Sequence, residues 1–253
     1  AVLNPKVTAN FAKVLGQRNK TDRADAQVLQ HYAQVVPLTR WQPPRTAVVE
    51  LRAISRHVQV LAQQQTAAKN RLHAEEAMGD APAFVLKAYR QEIRRLEKQI
   101  DHASAEAMKI VRVDAELKAQ FEALDSIKGV AQASAIALLG ELATLPAEMN
   151  ARACVAHAGL DVRQHQSGTS VDKPGRITKH GNRHLRRALY MPALVAISHD
   201  PHAKAFYERL KAKGKKPLQA LCAVMRKLLM AAWVLMKTRD TYDGARLYAA
   251  MEG

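Results

Sequence analysis

Two aspartates three residues apart, and one serine beside a glycine, are the side chains of this 253-residue chain whose types and setting could do chemistry. Asp22 and Asp25 stand in NKTDRADAQ, residues 19 to 27, flanked by Lys20 and Arg23. Carboxylates one helical turn apart, with Cβ atoms roughly 5–6 Å apart, can share hard cations of the kind that serve phosphoryl transfer. Two acids are too few for such a site, which wants further carboxylates, and no convincing partner acids stand elsewhere in the chain. The same pair also suits a structural role, because acids in a first helical turn offset the macrodipole, with Thr21 or Asp22 as the cap. Ser167 stands in QSGTSV. A serine beside glycine is commonly a turn residue, and a serine hydroxyl becomes a covalent nucleophile once a base or a metal activates it. His165 is a weak base candidate, and no His–Asp arrangement for an acyl-transfer triad stands nearby. Arginine and lysine on both sides of Ser167 would stabilise charge building on a phosphate under attack, so phosphoryl transfer fits this segment.

The rest of the chain favours a polyanionic partner. Lys and Arg number 39 against 23 Asp and Glu, a formal charge of +16. Residues 161–227 hold 15 Lys and Arg against four Asp and Glu, which is the signature of a phosphate-facing surface. Arg163, Lys173, Arg176, Lys179, Arg183, Arg186 and Arg187 are the candidate contacts, and the last three fall on one helical face by their spacing. Asn182 is a good N-cap for a helix starting at Arg183, with Leu185, Leu189 and Val195 expected inward and a kink expected at Pro192. His180 and His184 are four apart, but Gly181 interrupts helical geometry between them, so they read as phosphate-region residues and not as zinc ligands. Lys128 and Gly129 join the candidates through LDSIKGVAQASAIALLGEL, residues 124–142, whose spacing suits a helix-hairpin-helix turn that aims backbone N–H groups at a phosphate. An ordinary turn between two helices accounts for that segment as well.

The elements that must position these groups divide into three regions. Residues 1–45 read as a short mixed segment, with helices near Ala9–Leu15 and from Asp22 to about Ala33; Val2 and Leu3 before Asn4-Pro5 read as a strand end entering a loop. No initiator methionine or signal sequence opens the chain, and upstream residues are expected to precede it. Over residues 46–116, Leu51, Ile54, Val58, Leu61, Gln65, Ala68 and Leu72, and after the breaker GDAP Tyr89, Ile93, Leu96, Ile100, Ala103, Ala107 and Ile110, recur at spacings of three and four. That is the seam of an antiparallel coiled-coil hairpin or of a dimer's coiled coil, serving as a structural or assembly arm. Residues 117–253 read as compact, helical and basic. The longest apolar runs fall short of the roughly 18 residues of a membrane span, and two isolated cysteines point to a reducing cytoplasm and to no zinc finger.

NKTDRADA, the heptad hairpin, LDSIKGV, AHAGLDVRQHQSGTSV and GRITKHGNRHLRRALYMPALVA together closely resemble the DEDD-type transposases of a large bacterial insertion-sequence family, which are relatives of Piv-type DNA invertases and of bridge-RNA-guided recombinases. The resemblance implies a mainly α chain: the C-terminal remnant of an RNase H-like (RuvC-like) α/β domain over 1–45, the coiled-coil hairpin over 46–116, and a helical transposase domain over 117–253. It also implies that Asp22 and Asp25 are the last two acids of a metal-binding quartet, that Mg²⁺ is the cofactor, and that Ser167 forms a phosphoserine link to DNA in a composite site. DNA, a structured guide RNA and further copies of the chain are the implied partners. The first Asp and the Glu of the quartet would lie upstream of AVLNPK, so these residues alone are expected to bind nucleic acid without cutting it. The competing functions are a non-catalytic scaffold for bent or branched DNA, in which the acids are helix caps, and a structural coiled-coil assembly protein, which the clustered charge at 161–227 fits poorly.

Overall fold

The computed structural model describes residues 1–19, 21–38, 41–167 and 171–248, and for residues 164–167 and 171–174 the backbone course alone. Described residues form two compact units, 1–44 and 45–253, and are mainly helical.

In the first unit α1 (Pro5–Val14) and α2 (Asp22–Val35) pack together, with Phe11 edge-on to Tyr32 at 5.2 Å between ring centroids and with Ala24 and Val28 buried. Helix α1 starts earlier than its apolar pattern predicts, because Asn4-Pro5 begins a helix here and not a loop. The Asn4 side chain accepts from the Lys6 N–H, and Pro5 takes the first helical position, where no N–H is needed. Residues 1–4 form no strand, and Val2 is 71% exposed, so the expected strand end is corrected.

The second unit opens with a helical hairpin of α3 (Thr46–Met78) and α4 (Ala83–Val113), broken at Gly79. Each predicted seam residue lies on the less exposed side of its helix, with Leu51, Leu61, Ala68, Leu96 and Ala107 fully buried. Arg45 closes the base on Asp114 at 2.6 Å, and Arg90 closes the tip on Glu76 at 2.7 Å. Such exposed pairs contribute at most about 1 kcal/mol each, so the apolar seam holds the hairpin. Its base is continuous with the body: Val48, Leu51, Ala107 and Val111 belong to the same core as the helices that follow.

Those helices are α5 (Ala115–Asp125), α6 (Gln132–Leu142), α7 (Ala151–His157), α8 (Arg183–His199), α9 (Pro201–Ala212), α10 (Pro217–Thr238) and the short α11 (Gly244–Tyr248). Helix α10 is long and apolar enough to cross a membrane by composition, but most of its apolar residues, Trp233 and Leu228 among them, are buried in the core against α5, α7, α8 and α9. Helix α8 runs through Pro192 unbroken and buries Leu185, Ala188, Leu189, Pro192, Ala193 and Ala196. Val195 falls off that i, i+3, i+4 face and is 38% exposed, contrary to its predicted inward position. Between α7 and α8 the chain forms an antiparallel pair of strands, β1 (Val162–Ser167) and β2 (Val171–Ile177), inside a region expected to be wholly helical.

Candidate functional site

The strand pair grows from a root that the surrounding loops tie from both sides. Helix α7 is capped by Asn150, whose side chain accepts from the Ala153 N–H, and ends at His157. The returning segment crosses that end: the Asn182 N–H donates to the His157 carbonyl at 2.7 Å, and the Lys179 N–H donates to the Gly159 carbonyl at 3.1 Å. Thr178 adds a backbone bond and a hydroxyl bond to Asp161, the latter at 2.6 Å. The crossing is so close that a Cβ on Gly159 would lie 2.3 Å from the His180 carbonyl oxygen, and one on Gly181 would lie 2.1 Å from that of His157. Both glycines also hold positive φ, +65° and +117°, so no other residue type satisfies either position at low cost. Lys179 adopts φ 53°, left-handed backbone that costs a non-glycine residue about 1–2 kcal/mol. Strain of this kind persists only where the surroundings impose it, and it concentrates at functional segments.

Ser167 is the last residue of β1, with its Cα opposite that of Val171. The side chains of Ser167 and Lys173 lie outside the described residues. Nearer the root, Arg163 and Arg176 are exposed and directly paired across the strands. Like charges opposite one another destabilise a strand pair, and an anion relieves that repulsion. The pairing slips by one residue between the Arg163–Arg176 and His165–Lys173 pairs, where β2 carries Pro174 and Gly175. Proline lacks the N–H that a regular ladder needs, which explains a bulge at that point.

Helix α8 presents its first turn beside this root. Asn182 caps it, its side-chain oxygen accepting from His184 and Leu185 N–H groups at 2.9 and 3.3 Å. Arg183 and Arg187 are exposed. Arg186 instead turns to the body and donates to the Ala158 carbonyl at 2.7 Å, at the end of α7. Lys128 is exposed on the turn between α5 and α6, while Gly129 packs against the backbone of α8 at Pro192 and Ala196. Helix α6 begins at that turn with no side-chain cap on its N–H groups.

Sequence reasoning missed Glu141, which is 1% exposed on α6. Arg56 of α3 holds it through two hydrogen bonds, 2.5 and 2.9 Å, and the Asn182 amide donates to the same carboxylate at 2.6 Å. Both ends of the Asn182 side chain are therefore in use, one capping α8 and one on Glu141. Beside this group the Gln59 side-chain oxygen lies 2.9 Å from His184 Nδ1. Burial alone would raise the Glu141 pKa, but the hydrogen bonds from Arg56 and Asn182 and the Arg56 charge outweigh it and hold the group below the ordinary glutamate range. Burial lowers the His184 pKa, and Arg56, Arg183 and Arg187 push it the same way against the pull of Glu141. A lone acid inside the apolar run ASAIALLGEL was the available signal for Glu141. Glu141→Gln, which keeps the shape and removes the charge, is expected to lower stability by about 2 kcal/mol in urea unfolding; part-exposed Arg56 softens the loss. The wild-type advantage is present above the unfolded glutamate pKa of about 4.3. It disappears as pH falls through the depressed folded value, so the two unfolding curves converge in acid.

In the first unit Thr21 is the cap of α2, accepting from the Ala24 N–H at 3.2 Å, and it leaves Asp22 and Asp25 exposed on the first turn. Asp22 and Asp25 would supply two of the oxygen ligands that a hard cation such as Mg²⁺ takes, and the remaining ligands would have to come from elsewhere. Among the described residues no group of three or more acids, histidines or cysteines could hold a metal.

The model of the transposase IS116/IS110/IS902 family matches residues 121–208, and the model of the IS110 DEDD transposase matches residues 1–75. Over 245 residues the chain is 29% identical to the pilin gene-inverting protein of Moraxella bovis, covering 96% of this chain and 74% of that protein. An insertion element IS110 protein of Streptomyces coelicolor is 29% identical over 170 residues, 67% of this chain and 39% of its own length. An insertion element IS900 protein of Mycobacterium paratuberculosis is 36% identical over 69 residues, 27% of this chain and 17% of its own length.

Proposed function

The chain belongs to the DEDD-type insertion-sequence transposases of the IS110/IS116 family, and from that premise we propose that Ser167 is the nucleophile of DNA strand cleavage, with Asp22 and Asp25 as metal-holding acids. The serine Oγ attacks a backbone phosphorus and forms a phosphoserine ester, while the bond to one deoxyribose oxygen breaks and the freed hydroxyl takes up a proton. The number of phosphate ester bonds is unchanged, so rejoining to a new strand needs no external energy source. Inversion of a gene, which the name of the Moraxella relative states, requires DNA strands to be cut and rejoined. Mg²⁺, when bound, supplies Lewis-acid stabilisation of charge on the phosphate.

The single observation that best supports the proposal is the strand pair itself: a tied, glycine-dependent root carries Ser167 at the end of β1, and paired arginines stand on the same two strands. A fixed root restricts where the serine backbone can go, which is what positioning for attack requires. Arg163, Lys173, Arg176, Lys179, Arg183 and Arg187 grip nucleic-acid backbone, with Lys128 beside the uncapped start of α6. Base pairing by an element-encoded RNA then selects the sequence, a division of labour in which protein reads backbone and shape. Strand exchange between two duplexes requires more than one copy of the chain.

Asp22→Asn and Asp25→Asn in the complete protein test the acids. Each is expected to lower Mg²⁺-dependent strand cleavage at least about hundredfold, with duplex affinity changed by less than a few-fold. Cleavage at the wild-type rate in either variant removes that acid from the site. Salt-sensitive binding with no cleavage and no metal effect in the unaltered complete protein instead identifies a non-catalytic scaffold.

A further inference from the structure

We infer that the base of the α3 arm and the first turns of α8 form one continuous phosphate-binding surface, so that the arm grips nucleic acid and does more than space or assemble subunits. This rests on the proposal that the chain binds nucleic acid. On α3, Arg52 and Arg56 are one turn apart on the same face. Helix α6 meets that face at glycine distance: a Cβ on Gly140 would lie 2.6 Å from the Ser55 hydroxyl oxygen and 3.2 Å from the Arg52 Cα. The close approach lets Glu141 reach Arg56, and through Glu141 and Asn182 the arm is hydrogen-bonded to the cap of α8. The Gln59–His184 contact makes a second tie between the same two helices.

The charges at this junction do not balance. Arg52, Arg56, Arg183 and Arg187 contribute four positive charges, and Glu141 is the buried acid among them, already occupied by Arg56 and Asn182. The Arg56 side chain remains 41% exposed while it holds Glu141. Its remaining N–H donors can meet an acceptor from solvent, since a guanidinium carries five. Clustered arginines on rigidly joined helices repel one another, and a run of backbone phosphates offsets that repulsion while releasing counterions. The paired Arg163 and Arg176 lie on the strands whose root the same Asn182 loop ties.

Arg52 is the clean arm-side probe, because its contact to Thr144 is long, 3.4 Å, and it does not hold Glu141. Arg52→Gln and Arg187→Gln, singly and together, would be titrated by fluorescence anisotropy against a DNA duplex and an RNA hairpin over a range of salt, with thermal melting as the check on folding. Each arginine that meets a phosphate is expected to lower the slope of log affinity against log salt by about 1, and the double variant by about 2. The nucleic acid whose slope falls identifies the backbone held there. An Arg52→Gln slope equal to wild type on both, beside a reduced Arg187→Gln slope, overturns the arm's role and leaves nucleic-acid binding intact. Absence of salt-dependent binding by the unaltered protein defeats the broader proposal as well.

Discussion

In the complete protein, Ser167→Ala is expected to remove the covalent protein–DNA adduct altogether while DNA affinity stays within a few-fold of wild type. The contrast between the two readouts comes from where the residue sits. Ser167 ends β1, beyond the root that fixes the strand pair, and alanine is compatible with strand backbone. Loss of a nucleophile that acts with positioned partners typically costs about 10⁴-fold or more, whereas the arginines proposed to hold backbone phosphates are untouched. Trapping the reaction with denaturant and separating protein from protein–DNA conjugate measures it directly. An adduct at wild-type level in the alanine variant excludes Ser167, and an adduct lost together with DNA binding indicates a damaged fold.

Gly181→Ala is expected to produce the largest stability loss among single small substitutions, about 3–4 kcal/mol, or a fall in Tm of about 10 °C for a chain of this size. Two costs combine there. The backbone at φ +117° is outside the region that L residues adopt, and the new methyl would stand 2.1 Å from the His157 carbonyl oxygen. Relief requires the loop to lift off α7, which breaks the Asn182–His157 bond and disturbs the Asn182 cap and its tie to Glu141. Gly214 is the comparison: its φ is +80°, and nothing lies within 4 Å of an added Cβ. Gly214→Ala should cost about 1 kcal/mol, the backbone part alone. Equal losses in the two variants would mean that the crossing of the two loops is not close.

Features written in a few neighbouring residues were legible before the fold was known. Thr21 ahead of Asp22, and Asn182 ahead of Arg183, cap their helices because a cap needs only the N–H groups two or three positions ahead. The two long helices, their buried faces and the break at Gly79 were legible for the same reason, since burial along a long helix repeats with its turn. Asn4-Pro5 misled because that pair serves a turn and a helix start equally well. The strands β1 and β2 escaped notice because VRQHQS is polar at nearly every position, so it lacks the alternation of apolar residues that marks a half-buried strand.

By itself, then, the sequence determined the local caps, the helical arm, the concentration of positive charge and, through motifs of specific spelling, the transposase family. Tertiary structure alone decided which cations are available and which are committed. Arg183, Arg186 and Arg187 are equivalent by spacing, yet Arg186 is bound to a carbonyl 28 residues away, and Asn182 serves Glu141, 41 residues away, as well as its own helix. No window of sequence contains such partners, because they meet only after α6, α7 and α8 pack around one core. The same packing joins Arg56 of the arm to the cap of α8, turning a helix whose periodicity reads only as a spacer into part of a charged surface.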